Sequence, residues 1–443
     1  MHNNLSVSRR TAAFPSLSKS SSFACGEALT RAELECASKL QTAIRWQRFT
    51  VPYEYPVAFT RNLFSTENPL LIEMLALREK DKRHRCLIYI DDGVATTQKD
   101  LVPRILDYFT THSARAELLE MPVIVPGGEQ IKGKLSYIMV VQEAIHRLGV
   151  DRHSYVIAIG GEAVLDAIGL AASMAHRGVR HIRIPTTVLS QNNSSVGVKN
   201  AVNLNGVKNF IGTFAPPWAV LNDFGFLKTL SRRERIAGVS EAIKVALIRD
   251  GAFYEWMHAN AEKLANFDRS VEETMIRRSA ELHMHRIAYG GDPFEIGSAR
   301  PLDFGHWSAH KLEALTHYDV HHGEAVAIGI ALDARYSVLA GLLSPGEELR
   351  IVTLLESLGL RIFHPKLIEP GVNGEAAILT GLREFREHLG EELTVTLLSA
   401  IGHGVEVHAI DNDLVMQSIA WLKAREESHG LVVSPPSSDS ART

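Results

Sequence analysis

An α/β domain followed by an all-helical domain is the fold class the sequence predicts, and three observations predict it. Apolar strand-like runs alternate with amphipathic helical stretches over residues 46–230. Strand patterns nearly vanish over residues 231–427. One apolar run also ends directly on a glycine pair before a helix begins. Such alternation argues for a mostly parallel sheet with helices on both faces. Strands are expected at Cys86–Ile90, Pro122–Val125, Tyr155–Ile159 and His181–Ile184, and helices over Leu101–Thr110, Leu135–Leu148 and Ala163–Ala175. The run Tyr155–Ile159 leads into Gly160-Gly161, just ahead of Glu162. Glycines there let a backbone approach a pyrophosphate at a helix N-terminus, as in a dinucleotide-binding domain; a tight strand-to-helix turn also explains the pair.

The second half is expected to carry helices over Arg232–Ile248, Phe253–Leu264, Val271–Ala288 and Glu347–Leu358. A Gly- and Asn-rich connector, Asn192–Gly212, joins the halves and carries Lys199, Lys208 and Asn209. Ligands of open parallel sheets bind beyond the carboxyl ends of the strands, so a cleft between the halves is the expected site. The stretch Leu302–Ile330 places His306, His310, His317, His321 and His322 within seventeen positions, five of the chain's twenty histidines. Helical periodicity flanks a polar loop over Thr316–His322. His306 and His310 stand four apart, on one helix face. Two histidines from facing helices plus a carboxylate suit zinc with an open position. A solvated, histidine-rich helix hairpin fits the same spacing.

At 443 residues, with 45% hydrophobic and 22% charged residues, the chain reads as a soluble protein with a substantial core. A formal charge of −4 argues against a nucleic-acid or acidic-membrane partner. Cys25, Cys36 and Cys86 make neither a metal spacing nor an even disulfide set, which fits a reducing compartment and a cytoplasmic protein. No apolar run approaches the ~20 residues of a membrane span. Residues 1–45 are expected to be a disordered extension. Up to Gly26 they lack acidic residues and are rich in serine, so an organelle transit peptide also fits. Residues 428–443 read as a disordered tail.

The runs IGGEAVLDAIG (159–169), HRG (176–178), IPTTVLSQNNSSVGVKNAVN (184–203), KNFIGTF (208–214), LKTLSRRERIAGVSEAIK (227–244), DFGHWSAH (303–310) and HHGEA (321–325) resemble 3-dehydroquinate synthase and related sugar phosphate cyclases, in family order over roughly residues 85–410. The resemblance implies NAD and a divalent metal, zinc or another such as cobalt, between a dinucleotide-binding domain and a helical domain. By motif the metal ligands are Glu241, His306 and His322, which moves His310 out of the metal shell to the substrate phosphate. Phosphate contacts are expected from Arg177, Lys199, Asn209, His310 and Arg386, the arginine at 177 often being lent by a neighbouring subunit, which implies a homodimer. The NAD positions are Asp92 (or Asp91), Glu129, Lys132, Gly160, Gly161, Asp166, Thr186, Thr187, Lys208, Phe226 and Thr229. Lys199, Lys244, His310, Asp303 and Asn193 fall at the catalytic positions.

Some positions depart from the family pattern. Glu162 replaces the third glycine of the usual GGG. Asn193 replaces an aspartate, His283 a lysine, and Asp303 an asparagine, while Arg300 sits one residue closer to the histidine motif than the family arginine. An acid beside a substrate carboxylate costs on the order of 4 kcal/mol at about 4 Å and an effective dielectric of about 20. The expected reaction is a cycle without net redox, in which a C7 sugar phosphate loses phosphate and closes to a carbocycle. A 2-epi-5-epi-valiolone synthase-type cyclase using sedoheptulose 7-phosphate is one alternative. A metal-dependent polyol dehydrogenase is an alternative from another class.

Overall fold

The computed structural model describes residue 47 and residues 49–205, 207–295, 303–371, 374–389 and 393–428. The expected N-terminal extension over 1–45, the tail beyond Ser428 and Arg300 therefore lie outside the described residues. From Glu54 onward the chain forms one unit in which the α/β and helical parts meet.

Strands β1 (Val57–Thr60), β2 (His84–Asp91), β3 (Ala116–Leu118), β4 (Val123–Val125), β5 (Tyr155–Gly160), β6 (Arg180–Pro185) and β9 (Ala219–Asp223) build a seven-stranded sheet. Its order is β1-β9-β6-β5-β2-β3, with β4 also paired to β2, and every ladder is parallel. Parallel strands need crossovers, supplied here by α1 (Leu101–Thr111), α2 (Leu135–Arg147) and α3 (Glu162–Met174). Strand β5 is buried at all six residues, as a central strand covered on both faces must be. Two separate apolar clusters line those faces, one around Val164 and Ile168, the other around Leu71 and Ile105.

Three expectations are corrected here. The Asn192–Gly212 connector, expected without strands, carries one strand of a pair: β7 (Lys199–Leu204) pairs antiparallel with β8 (Val207–Phe214). Strands β1, β3 and β9 extend the sheet beyond the four strands expected. Each is only three to five residues long, too short for a period-two signal. The helical half is not all-helical, because β10 (Val395–Ala400) and β11 (His403–Val407) form a hairpin beside the helices.

Helices α4 (Arg232–Arg249), α5 (Arg269–Tyr289), α6 (His306–Leu315), α7 (His322–Leu339), α8 (Glu347–Ser357), α9 (Thr380–Leu389) and α10 (Asn412–Ser428) form the rest. The helix expected over Phe253–Leu264 is split at Asn260 into Gly251–Ala259 and Ala261–Ala265. Ser428, expected as the first residue of the tail, instead closes α10. Among the described residues no helix is long and apolar enough to cross a membrane.

One junction aims the site. Gly305 precedes α6 at φ 76°, and a Cβ on Gly329 of α7 would lie 2.0 Å from the Gly305 carbonyl oxygen. Glycines at both positions therefore let the start of α6 abut α7. Asp333 locks that contact, accepting the Gly305 N–H and the Trp307 indole N–H, each at 2.9 Å. His306 is thus fixed at the first turn of α6.

Candidate active site and metal centre

Glu241 and Lys244 stand three apart on one face of α4 and are both buried. Glu241 Oε2 meets Lys244 Nζ at 2.6 Å and accepts from the Asn193 side-chain amide. The other oxygen, Oε1, is buried without a hydrogen-bond partner. Toward it point His306 Nε2 from α6 at 3.5 Å and His322 Nε2 from α7 at 3.7 Å. Each ring has its Nδ1 against an acceptor: the Phe304 carbonyl at 3.1 Å and Glu313 Oε2 at 3.0 Å. An Nδ1–H so engaged leaves the Nε2 lone pair free to ligate. Burial, then the charges of Lys244, His310 and His322, push His306 well below the usual imidazole range, so it stays neutral. One atom from each residue of this trio lies within 4.8 Å of the others. An orphaned carboxylate oxygen facing two neutral-capable imidazoles is a donor set that fits a divalent metal.

His310 lies outside that trio, its ring centroid 5.4 Å from His306 and 5.8 Å from His322, on the exposed side. With Glu313 and His322 it makes a second candidate donor group that shares His322. Lys199, at the start of β7, reaches Glu295 at 2.7 Å. Glu295 was missed by the sequence reading, since it sits in a loop with no periodicity to flag it. Arg183 was missed as well. It is buried, and its guanidinium donates to the carbonyls of Ser195, Gly197 and Lys199 and to Asn200 Oδ1 at 2.7–2.9 Å, seating the segment that carries Lys199. Its one signal was a charged residue in the middle of a buried strand.

Asp303, half-buried, caps the approach to α6, its carbonyl accepting the His306 N–H at 3.0 Å. The His283 ring lies 3.4 Å from where a Gly197 Cβ would sit, and its Nδ1 is buried without a partner. Burial, then Lys244 and Lys199, push its pKa down to about 3, so no cation stands there near neutral pH. Asn209 is exposed in the left-handed region at φ 55°, its N–H bound to Asn203 Oδ1. Arg177 and Arg386 are exposed. Arg177 follows the far end of α3, about 20 Å of helix from Gly161 at ~1.5 Å per residue.

The positions expected to contact a nucleotide follow strands β2, β4, β5, β6 and β9, with Lys208 on β8. A Cβ on Gly160 would meet Val164 Cβ at 2.9 Å and Asp91 Cβ at 3.0 Å, so only glycine fits. Gly161 caps α3, and Thr186, with a buried hydroxyl lacking a partner, follows β6. Thr187 caps the short helix Val188–Asn192 by accepting from Ser190 N. Asp91 caps Asp92–Thr97 from within, while the exposed Asp92 accepts from Gly127 N at 2.9 Å. Phe226 is buried, and Thr229 Oγ accepts from Gln98 at 3.2 Å. Lys132 and Asp166 bind each other at 2.9 Å, both largely buried. Lys208 Nζ donates to Glu313 Oε1 at 2.7 Å and lies 3.8 Å from Glu129, which also accepts from Asn203. Glu162, at the first position of α3, faces this same group. Burial, then Asp166, raise its pKa, with His322, Lys132 and Lys208 opposing.

A parallel α/β sheet joined to helices that carry a carboxylate–bis-histidine cluster defines the class, and comparison with known proteins narrows it. A family model for the 3-dehydroquinate synthase N-terminal region matches residues 122–237, and one for its C-terminal region matches residues 238–374. Together they run unbroken over more than half of the chain. The chain belongs to the 3-dehydroquinate synthase family. It is similar to the solved structure of ValA, a 2-epi-5-epi-valiolone synthase from Streptomyces hygroscopicus subsp. jinggangensis with NAD+ and Zn2+ bound. That match has 26% identity and a TM-score of 0.75, covering 86% of this chain and 100% of that one. A 2-deoxy-scyllo-inosose synthase complexed with carbaglucose-6-phosphate, NAD+ and Co2+ matches at 24% identity and a TM-score of 0.68, covering 82% and 95%. A probable glycerol dehydrogenase from Sinorhizobium meliloti shares the fold at 15% identity and a TM-score of 0.54, covering 84% and 98%.

Proposed function

We propose that the chain is an NAD- and zinc-dependent sugar phosphate cyclase whose substrate is a C7 sugar phosphate with a neutral end, such as sedoheptulose 7-phosphate. The observation that carries this reading is the convergence of Glu241, His306, His322, Lys244 and Asn193 on one buried point, with Asp303 and a neutral His283 among the groups nearby. The relative with 26% identity supports it, being a valiolone synthase with NAD+ and Zn2+.

Zinc held by Glu241, His306 and His322 would supply a Lewis acid, and NAD in the Gly160–Gly161 crevice reversible hydride acceptance. The chain's own residues do the rest. Asn193 and Lys244 bind one oxygen of Glu241 and turn the other toward the two imidazoles. Lys244 also approaches His306 Nε2 at 3.4 Å, so its ammonium can hold or hand over a proton beside a substrate hydroxyl. Lys199, Asn209 and His310 are the phosphate side. A phosphomonoester has three acceptor oxygens and nearly two charges, which cations and amides match. Asp303 accepts from a terminal hydroxyl where a carboxylate would be repelled.

Arg177 is exposed, and β8 presents exposed Val207, Phe210 and Phe214. Both support a homodimer in which Arg177 serves the neighbour's phosphate site. Steady-state assays with sedoheptulose 7-phosphate, a heptulosonate 7-phosphate and unphosphorylated polyols test the reading. Phosphate release from the first substrate supports it, and turnover of polyols alone with NADH formation refutes it.

A further inference from the structure

We propose that Glu313 is a positioning residue that ties the metal ligand His322 to Lys208 of the α/β half, so that metal affinity depends on a lysine that does not touch the metal. This rests on the metal reading above and goes beyond it.

The two imidazoles of the trio are oriented differently. His306 rests its Nδ1 on a backbone carbonyl, which the α6 turn fixes by itself. His322 rests its Nδ1 on Glu313 Oε2 at 3.0 Å, and Glu313 is a side chain that needs holding in turn. Its second oxygen is held by Lys208 Nζ at 2.7 Å, and both ends of that ion pair are shielded, with side-chain exposures of 3% and 18%. Lys208 comes from β8, whereas Glu313 lies on α6, so the chain His322–Glu313–Lys208 crosses between the halves.

The electrostatics agree with this geometry. Glu313 is buried, with one carboxylate oxygen facing His322 Nδ1 and the other facing the Lys208 ammonium. An ionised carboxylate accepting Nδ1–H fixes the ring tautomer and raises the basicity of Nε2. Without Lys208 that carboxylate would be buried and poorly compensated, and would swing away from His322. The same carboxylate could be read as a ligand in the second donor group with His310. That reading leaves Nε2 of His322 and the orphaned oxygen of Glu241 unexplained.

Zinc affinity of the full chain, measured by competition with a chromogenic chelator, tests this. Glu313→Leu is expected to weaken zinc binding by about 10–100-fold. Glu313→Gln, which keeps an acceptor oxygen, should lose less, and Lys208→Met should shift affinity in the same direction. The double variant Glu313→Leu with Lys208→Met should bind no more weakly than Glu313→Leu alone, since both act through one ring. Circular dichroism melts identify any variant that fails to fold, in which case Glu313→Gln and Lys208→Met carry the test. Unchanged affinity in Glu313→Leu, additive losses in the double variant, or equal zinc loss in His310→Ala would each overturn the proposal. A wild-type chain that binds no zinc would bring down the metal reading with it, whereas wild-type binding kept intact in Glu313→Leu sinks this inference alone.

Discussion

His306 Nε2 stands 3.5 Å from Glu241 Oε1, an oxygen that is buried and bonded to nothing else. A buried acceptor left unsatisfied costs about 1–3 kcal/mol, more for a charge, and a metal ion between the two atoms removes that cost. Glu241→Gln should therefore lose zinc and activity together. His310→Ala should keep zinc while losing about 1.5–3 kcal/mol of charge-assisted phosphate contact, seen as a raised KM or lowered kcat. Metal analysis of both purified variants decides. Full zinc in Glu241→Gln would remove Glu241 from the metal site, and zinc lost in His310→Ala would show that the spacing of four, not the separation of sixteen, marks the metal pair.

Asp303 and His283 bear on the choice of substrate. Wild type should favour sedoheptulose 7-phosphate over a heptulosonate 7-phosphate, and Asp303→Asn should narrow that preference by roughly 1–3 kcal/mol. Comparing kcat/KM for both substrates in wild type, Asp303→Asn and Arg300→Ala checks this. Efficient heptulosonate turnover that disappears in Arg300→Ala would point instead to an ordinary dehydroquinate synthase.

Much of this arrangement was legible in the chain before its structure. Long periodic segments such as Leu135–Arg147 and Arg232–Arg249 carry enough turns for their pattern to stand out. Strands β1 and β9 do not, and the β7–β8 hairpin hides because Asn and Gly depress strand propensity where antiparallel pairing overrides it. The family resemblance points to Lys132 and Asp166 separately as nucleotide contacts, yet they form one buried pair, a relation that no local pattern encodes. The histidine motif was legible as a cluster, but spacing alone favoured His306 with His310. Only the packing of α7 on α6 brings His322 to the same point. Glu295 and Arg183 act through contacts distant in sequence, so nothing beside them in the chain announced their roles.

Asp333 gives a pH signature. Burial raises its carboxyl to about 7 despite hydrogen bonds from Trp307 and Gly305. A folded-state value above the unfolded one, near 3.9, means that the folded state binds the extra proton. Stability should therefore fall as pH rises from about 4 to about 7 and level off above that, by on the order of 4 kcal/mol from this group. Asp333→Asn should flatten that part of the curve. Urea unfolding of metal-free protein at several pH values would contradict this if the variant kept the wild-type slope.

Glu162 should have opposite effects on fold and cofactor. An acid in the first turn of α3 stabilises the helix by about 0.3–1 kcal/mol, but it stands where a pyrophosphate would meet the helix N-terminus. Glu162→Gly is expected to lower the melting temperature slightly and to tighten NAD binding by roughly fivefold, about 1 kcal/mol. Isothermal titration with NAD reads this directly, and weaker binding in the variant would instead make Glu162 a cofactor contact.

The most direct measurement follows phosphate and NADH together while the purified, zinc-loaded chain turns over sedoheptulose 7-phosphate with NAD present. A cyclase of the kind proposed releases one phosphate per product, forms a product lighter by one phosphoric acid, and accumulates no NADH. NADH rising in step with product, with the phosphate still attached, would contradict the cyclase reading and make the chain a dehydrogenase built on the same fold.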